Sequence, residues 1–337
     1  MHKISRVIAV AMTLLTALTT RASDSTFTYR PNIHATLRTR FELATETGDY
    51  RFQVRNARVI ADGRIAPSID YFINLDLCDR GKIKILDVWA RIAATSKLNF
   101  QAGQFRMPFG VDPFRAPHLY FFANRSFVAK QMCNYRAVGV KAAYRIAKPL
   151  EVEMGIFTPT AIGDHTPWCK KVVWGGRALL TPGGWKMSAG VLSVRPSGVR
   201  ANLADAMAGW SNSRWTVEGE YMYKHYVHHA FKPAHAYSVY ANYQMPVKAG
   251  VFNRLSFQGR FDGLTDHSDA STNDKGQINL TDPQRNRVTV GSTISYIRSK
   301  NMFVDLRLNY EKYFYAHSFV PTPENADKIV AELVLRF

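Results

Sequence analysis

Apolar and polar residues alternate along most of the chain, in segments of about ten residues that are separated by turns. The last segment, Lys328–Phe337, shows the pattern most clearly. One face of it carries Ile329, Ala331, Leu333, Leu335 and Phe337, and the other carries Lys328, Glu332 and Arg336. A two-residue period predicts a β-strand with one apolar face, and a final aromatic residue is typical of the closing strand of an outer-membrane barrel.

The same alternation predicts sixteen strands. They are Ile33–Leu43, Arg51–Ala61, Ile69–Leu77, Ile83–Ile92, Leu98–Arg106, Arg136–Ile146, Leu150–Phe157, Val172–Leu180, Trp185–Val194, Ala201–Trp210, Trp215–Lys224, Ala236–Met245, Arg254–Gly263, Arg287–Ile297, Met302–Tyr313 and the closing strand. Most have the length that a tilted membrane strand requires, which exceeds that of ordinary soluble strands.

Three details of this assignment bear on the structure. The register of Arg51–Ala61 is ambiguous, and the alanine-rich segment Ala201–Trp210 also suits a short helix. In the fourth strand, Leu86 is expected on the apolar face with Val88 and Ala90.

The connections between the segments fall into two classes that alternate along the chain. Connections after even-numbered strands are short, whereas the odd-numbered set contains all the long ones. The long connections are Met107–Tyr135, Thr158–Lys171, His225–His235, Leu264–Gln284 and Phe314–Asp327. This sorting predicts an all-β protein, a transmembrane antiparallel β-barrel of about 16 strands. Its N- and C-termini are expected in the periplasm, and its long loops outside.

The first residues predict export. Lys3 and Arg6 precede an apolar run, Val7–Leu18, and Thr20-Arg21-Ala22 resembles a cleavage site, so residues 1–22 are expected to be a signal peptide. Residues 23–32 then form an N-terminal periplasmic segment and residues 33–337 the barrel. An odd number of cysteines (Cys78, Cys133 and Cys169) argues against a disulfide scaffold, although one pair remains open.

The composition is basic, with 44 Lys and Arg against 26 Asp and Glu and a formal net charge of +18. The signal peptide and the lack of a clustered basic helix argue against a nucleic-acid partner. No hydrolase, zinc-protease or nucleotide-binding motif occurs, so the protein is not expected to be an enzyme or to need a cofactor. We interpret His225, His228 and His229 as solvated loop residues in preference to a metal site.

Several segments resemble one porin family. They are Gly103–Gly110 (GQFRMPFG), Arg51–Arg58 (RFQVRNAR), Leu255–Asp262, and the stretch from Val288–Gly291 through Leu308–Glu311. They are similar to segments of the phosphate-selective porin O and P family, in which a Lys is common where Arg106 stands here. The resemblance implies a sixteen-stranded, usually trimeric barrel. It also implies a third outer loop that folds into the pore and carries basic residues that bind anions.

Residues 107–135 form the third outer loop on this topology. The loop contains Arg115, His118, Arg125 and Lys130, and Asp112 is its only acid. Basic side chains at a constriction favour anions, whereas in an open outer loop they would simply be solvated. The full set of candidate anion-binding or pore-lining residues is Arg38, Arg40, Arg58, Arg91, Arg106, Arg115, Arg125 and Lys130.

The strand faces that carry these arginines also carry many carboxylates, and cross-strand pairing is the alternative role for each charge. The favoured function is passive diffusion of small anions, such as phosphate or larger oxyanions, through an outer-membrane porin. The alternative is a plugged barrel that acts as a surface-binding protein or enzyme. The expected partners are small anions, outer-membrane lipid, lipopolysaccharide and further copies in a homotrimer.

Overall fold

A computed structural model describes residues 30–79, 81–159, 168–316 and 319–337. The predicted signal peptide and most of the predicted periplasmic segment lie outside these ranges. In the described part of the chain, sixteen antiparallel strands form one closed barrel in which every strand pairs with its sequence neighbours. They are β1 (Asn32–Ala44), β2 (Tyr50–Ala66), β3 (Ile69–Asp79), β4 (Lys82–Ala93), β5 (Leu98–Arg106), β6 (Arg136–Ala147), β7 (Leu150–Phe157), β8 (Val173–Leu180), β9 (Trp185–Val194), β10 (Ala201–Ser211), β11 (Trp215–Tyr226), β12 (Ala234–Ala249), β13 (Phe252–Leu264), β14 (Arg285–Ser299), β15 (Met302–Tyr315) and β16 (Lys328–Arg336).

The last strand closes the barrel by pairing with the first. Leu37 lies opposite Leu335, and Arg40 lies opposite Glu332. The charged face of β16 is buried inside the barrel, and its apolar face points outward, as the alternation predicts. Closure removes both sheet edges, so every strand has two hydrogen-bonded neighbours.

The outer surface of the barrel is apolar. Large exposed hydrophobic side chains point outward, and buried charged ones point inward. Trp185 at the start of β9 lies opposite Trp210 near the end of β10. On the next two strands the Trp215 and Tyr243 rings are 4.8 Å apart. An apolar belt edged by aromatic rings around a polar interior identifies a transmembrane barrel of the outer membrane.

Among the described residues, no helix is long and apolar enough to cross a bilayer.

The two ends of the barrel differ in their connections. Turns after even-numbered strands are short, as between Ala66 and Ile69 or between Ala249 and Phe252. We call this the short-turn end. The opposite end, which we call the long-loop end, carries the long predicted connections, including the one from Arg106 to Arg136.

A β-bulge in β2 resolves the register that the sequence leaves ambiguous. Arg38 pairs with Asn56, but Thr39 pairs with Val54, so Arg55 is an extra residue in the ladder. Because the bulge shifts the alternation by one, arginines on both sides of it reach the lumen.

A second bulge corrects the prediction for β4. Asn74 pairs with Asp87 and Leu75 with Ile85, which leaves Leu86 unpaired between them. Leu86 is buried and faces the lumen, so its predicted outward position is wrong. The alternation alone does not contain the extra residue that turns this side chain inward.

The remaining ambiguities are also resolved. The alanine-rich segment is strand β10, with Leu203, Asp205 and Met207 facing inward. All three cysteines are free: Cys133 is buried, Cys78 is half-buried and Cys169 is exposed. No pair among them forms a disulfide.

Gly103 is the position in β5 where a side chain is least tolerable. Its φ of +130° is strained for any other residue, and an added Cβ would lie 2.2 Å from the carbonyl oxygen of Val88. We expect Gly103→Ala to destabilise the barrel by ~2 kcal/mol. The check is the temperature at which the folded band of the purified protein disappears on a gel. Gly259→Ala is the matched control, because a Cβ there meets nothing within 4 Å, and equal melting of the two variants would contradict the account.

Candidate pore constriction

The loop that joins β5 to β6, residues 107–135, folds back into the lumen, and we call it the inserted loop. It contains the short 3-10 helices Asp112–Phe114 and Pro117–Leu119 and the short π-helix Val128–Met132. Phe109, Phe127 and Met132 of the loop are almost fully buried in one cluster with wall residues such as Leu192 and Met222. Burial of this many apolar side chains fixes the loop against the inner wall.

Wall carboxylates bind the first part of the inserted loop through its backbone. The Glu220 carboxylate accepts hydrogen bonds from the N–H groups of Val111 (2.5 Å) and Asp112 (2.9 Å). Asp205 accepts one from the N–H of Gly110 at 3.2 Å. These charge-assisted bonds satisfy backbone donors that the barrel would otherwise bury without partners.

The next turn of the loop is held by an ion-pair cluster. Arg115 pairs with Asp112 at 3.2 Å and with Glu218, and its guanidinium lies 5.4 Å from the Tyr240 ring. Arg115 thus positions the inserted loop against β11 and β12.

Wall arginines bind the second half of the loop through its carbonyl groups. Arg38 donates to the carbonyl of Ala123 at 2.7 Å, and Arg287 donates to that of Arg125 at 2.7 Å. The Asp262 carboxylate accepts from the N–H of Phe127 at 2.9 Å. The loop therefore crosses from β10 and β11 to β13, β14 and β1, and it leaves open the side of the lumen that β2, β3, β4 and β6 form.

A cavity of about 560 Å³ occupies this open side, between the inserted loop and the wall. Among the described residues, eleven basic side chains line it: Arg38, Arg40, Arg51, Arg55, Arg58, Lys84, Arg125, Lys130, Arg136, Arg287 and Lys328. The acidic side chains that line it in the same ranges are Glu42, Asp76 and Glu324. We call this cavity the constriction.

The inserted loop separates the charges that the sequence leaves mixed. Asp205, Glu218 and Glu220 lie on the wall that the loop covers and are bound by its backbone or by Arg115. Asp262 is bound by the loop and by Arg287. The loop thus covers carboxylates, while the uncovered wall is predominantly basic.

Five of the eight candidate residues line the constriction: Arg38, Arg40, Arg58, Arg125 and Lys130. The structure places the other three elsewhere. Arg115 holds the loop to Glu218, and Arg106 is buried beside the constriction, where it donates to Asn134 at 3.1 Å. Arg91 lies in a separate cavity towards the short-turn end, paired with Asp70 at 2.7 Å.

Sequence reasoning missed six basic residues of the constriction: Arg51, Arg55, Lys84, Arg136, Arg287 and Lys328. Arg51 and Arg55 belong to the arginine-rich segment that carries the family resemblance, so a signal for them was present. Arg136 and Arg287 are at or near strand starts, where nothing in the alternation shows that the loop leaves their side exposed to the lumen.

The basic side chains of the constriction differ in whether a protein carboxylate neutralises them. Arg51, Arg58 and Arg136 pair with Glu42, Asp76 and Asp87, respectively. Within the described ranges, Arg55 and Lys130 form neither a hydrogen bond through the side chain nor an ion pair. In the same ranges, the partners of the Arg125 side chain are Asn134 at 3.4 Å and the Tyr120 ring.

Lys130 gives the constriction a dependence on pH. Its amine is exposed to the lumen but enclosed by the barrel, and burial, opposed by Glu324 and reinforced by Arg287, lowers the pKa of Lys130 to about 8. The amine is charged below that pH and neutral above it. We therefore expect anion preference to fall as the pH rises from about 7 to about 9. Reversal potentials measured across this range are the check, and Lys130→Gln should abolish this component.

Comparison with solved structures agrees with the barrel. OmpT of Vibrio cholerae, in its trimer form, aligns with 91% of this chain and 99% of its own at 13% identity and a TM-score of 0.60. The chain therefore has a porin fold. An anion-selective porin from Comamonas acidovorans aligns over 91% of this chain and 99% of its own, at 10% identity and a TM-score of 0.62. OprB of Pseudomonas putida aligns over 91% of this chain and 94% of its own, at 10% identity and a TM-score of 0.61.

No family model matches the sequence, and no curated protein matches it. The comparisons thus establish the general porin fold, which is a coarser assignment than the phosphate-selective family that the sequence segments resemble.

Proposed function

We propose that the protein is a passive outer-membrane porin for small anions. The observation that carries the proposal is the constriction, where eleven basic and three acidic described side chains surround the open part of the lumen. Such a cluster raises the local concentration of anions and lowers that of cations. The short-turn end faces the periplasm in this proposal, and the long loops face the exterior.

Phosphate and larger oxyanions are the substrates that we favour. Eight of the eleven basic side chains in the constriction are arginines, and a guanidinium fork binds two oxyanion oxygens at once. The resemblance of Arg51–Arg58 and Gly103–Gly110 to the phosphate-selective family supports the same choice.

We further propose a homotrimer in contact with outer-membrane lipid and lipopolysaccharide. The trimeric form of OmpT from Vibrio cholerae supports the oligomer. Exposed Lys170 and Lys171 near the long-loop end are suited to lipopolysaccharide phosphates. Native mass measurement in detergent tests the trimer, and a monomeric mass would exclude it.

To test this function, we would measure the current through the purified protein in a planar bilayer, in chloride solution to which phosphate is added. We expect steady channels whose chloride current falls as phosphate competes for the constriction. Undiminished chloride current at high phosphate would remove oxyanion binding from the proposal.

A plugged barrel is the second candidate function. It is supported by the connection after β13, which also folds inward. His267, Ser268 and Ala270 of this connection are buried, and Lys224 donates to the Ser268 carbonyl at 2.9 Å. A folded protein that inserts into lipid without conducting would support this candidate against the porin.

A further inference from the structure

A second cavity, of about 620 Å³, lies in the lumen between the constriction and the short-turn end. Two aromatic side chains form part of its wall. Phe72 on β3 and Trp89 on β4 are directly opposed in the ladder, and their rings stack with centroids 5.2 Å apart at 12°. Both are only partly buried. We call this pair the aromatic shelf.

The shelf is an apolar patch among polar side chains that face the lumen. The inward neighbours of Phe72 along β3 are Asp70 and Asn74, and β1 places Asn32 and His34 near the same end. Apolar rings that face a water-filled passage leave hydrophobic surface exposed, which a planar apolar solute would cover. Trp89 also packs against the buried apolar cluster and lies opposite Gly103 in the ladder, so part of its ring supports the wall and the rest borders the cavity.

Two arginines stand beside the shelf. Arg91 lies 5.6 Å from the Trp89 ring, and both Arg91 and Arg64 pair with Asp70, at 2.7 Å and 3.2 Å. The Arg64 side chain is 63% exposed and that of Arg91 is 42% exposed. Arg30 also lines the cavity, and Asp62, which lies opposite Phe72 in the ladder, is its second carboxylate. Three guanidinium groups against two carboxylates leave a net positive charge and N–H donors at the cavity.

We propose that the shelf and its two arginines bind anions that carry an aromatic ring, such as aromatic carboxylates. The ring stacks on Phe72 and Trp89, and the carboxylate pairs with Arg91 and Arg64. This inference rests on the proposed anion porin and names a class of solute for a site separate from the constriction. Solutes that leave the constriction would bind here before release.

The test compares benzoate with cyclohexanecarboxylate as blockers of chloride current in planar bilayers. The two anions have the same charge and similar size, but cyclohexanecarboxylate lacks a π face and is the more hydrophobic. Stacking predicts half-block by benzoate at a roughly fivefold lower concentration. Simple hydrophobic partitioning predicts the reverse order.

Variants assign the effect to the shelf. Phe72→Leu and Trp89→Leu keep apolar volume but remove the rings, so each should bring the two blockers to equal potency. Trp215→Leu on the outer surface is the control and should preserve the fivefold difference. If Trp89→Leu fails to fold, Phe72→Leu alone decides the question.

The outcomes distinguish this inference from the function on which it rests. A wild-type channel without anion preference overturns the proposed function. An anion-selective channel that both carboxylates block equally, or in which Phe72→Leu preserves the difference, overturns only the aromatic shelf.

Discussion

Replacing Arg55 and Lys130 together with glutamine is expected to reduce the chloride-to-potassium permeability ratio about fivefold. Both side chains line the constriction, and within the described residues neither is committed to an ion pair. A unit charge about 8 Å from a passing ion in water contributes ~0.5 kcal/mol, and screening at about 0.1 M salt roughly halves this. Two such charges stabilise chloride by ~0.5 kcal/mol and destabilise potassium by as much, so the ratio changes by ~1 kcal/mol, which is about a factor of five. Reversal potentials in a KCl gradient measure the ratio directly.

The matched control removes two positive charges elsewhere. Lys248 and Arg298 are exposed at the short-turn end, away from the constriction. Lys248→Gln with Arg298→Gln should leave the permeability ratio nearly unchanged because salt screens distant exposed charges. A similar loss of selectivity in both double variants would show that overall net charge, and not the constriction, sets the preference.

Glu220→Ala is expected to loosen the inserted loop, raise single-channel conductance and weaken anion preference. The substitution leaves the N–H groups of Val111 and Asp112 buried without their shared acceptor. Loss of two charge-assisted hydrogen bonds costs about 3 kcal/mol or more. The apolar cluster around Phe127 and Met132 remains, so the loop should become mobile without the barrel unfolding.

Single-channel recordings measure this effect as a larger mean current with greater open-channel noise. Glu151→Ala is the control, since Glu151 is partly exposed on β7 and pairs weakly with Arg145 at 3.8 Å. Wild-type conductance in Glu220→Ala would contradict the role given to Glu220 in holding the loop.

The barrel was predictable because its physics is local in sequence. A strand that separates lipid from lumen must alternate apolar and polar side chains. The faces of Ile329 and Glu332 can therefore be predicted without reference to any other strand. Loop lengths then give the two ends, as the 29-residue span 107–135 shows against the turn from Ala249 to Phe252.

Bulges were not predictable by the same reasoning. Arg55 and Leu86 are extra residues in their ladders, and each changes the face of its neighbours without a mark in the hydropathy pattern. The alternation places Leu86 outward because leucine is apolar, but its position follows from pairing between β3 and β4.

Only some residues of the constriction could be predicted, for a related reason. Arg38, Arg40 and Arg58 follow from strand alternation, but which lumen charges stay available depends on the course of the inserted loop. In the sequence, Glu220 and Asp262 are expected to face the lumen and to offset the positive charge of these arginines. In the structure they are bound to Val111 and Phe127, contacts between residues more than 100 positions apart.

The reversal potential of the unmodified channel in a KCl gradient tests the central claim most directly. The basic constriction predicts a potential of the sign that chloride-selective permeation gives, and one that shrinks towards zero as salt screens the arginines. A potential of the opposite sign, which reports preference for potassium, would contradict the account.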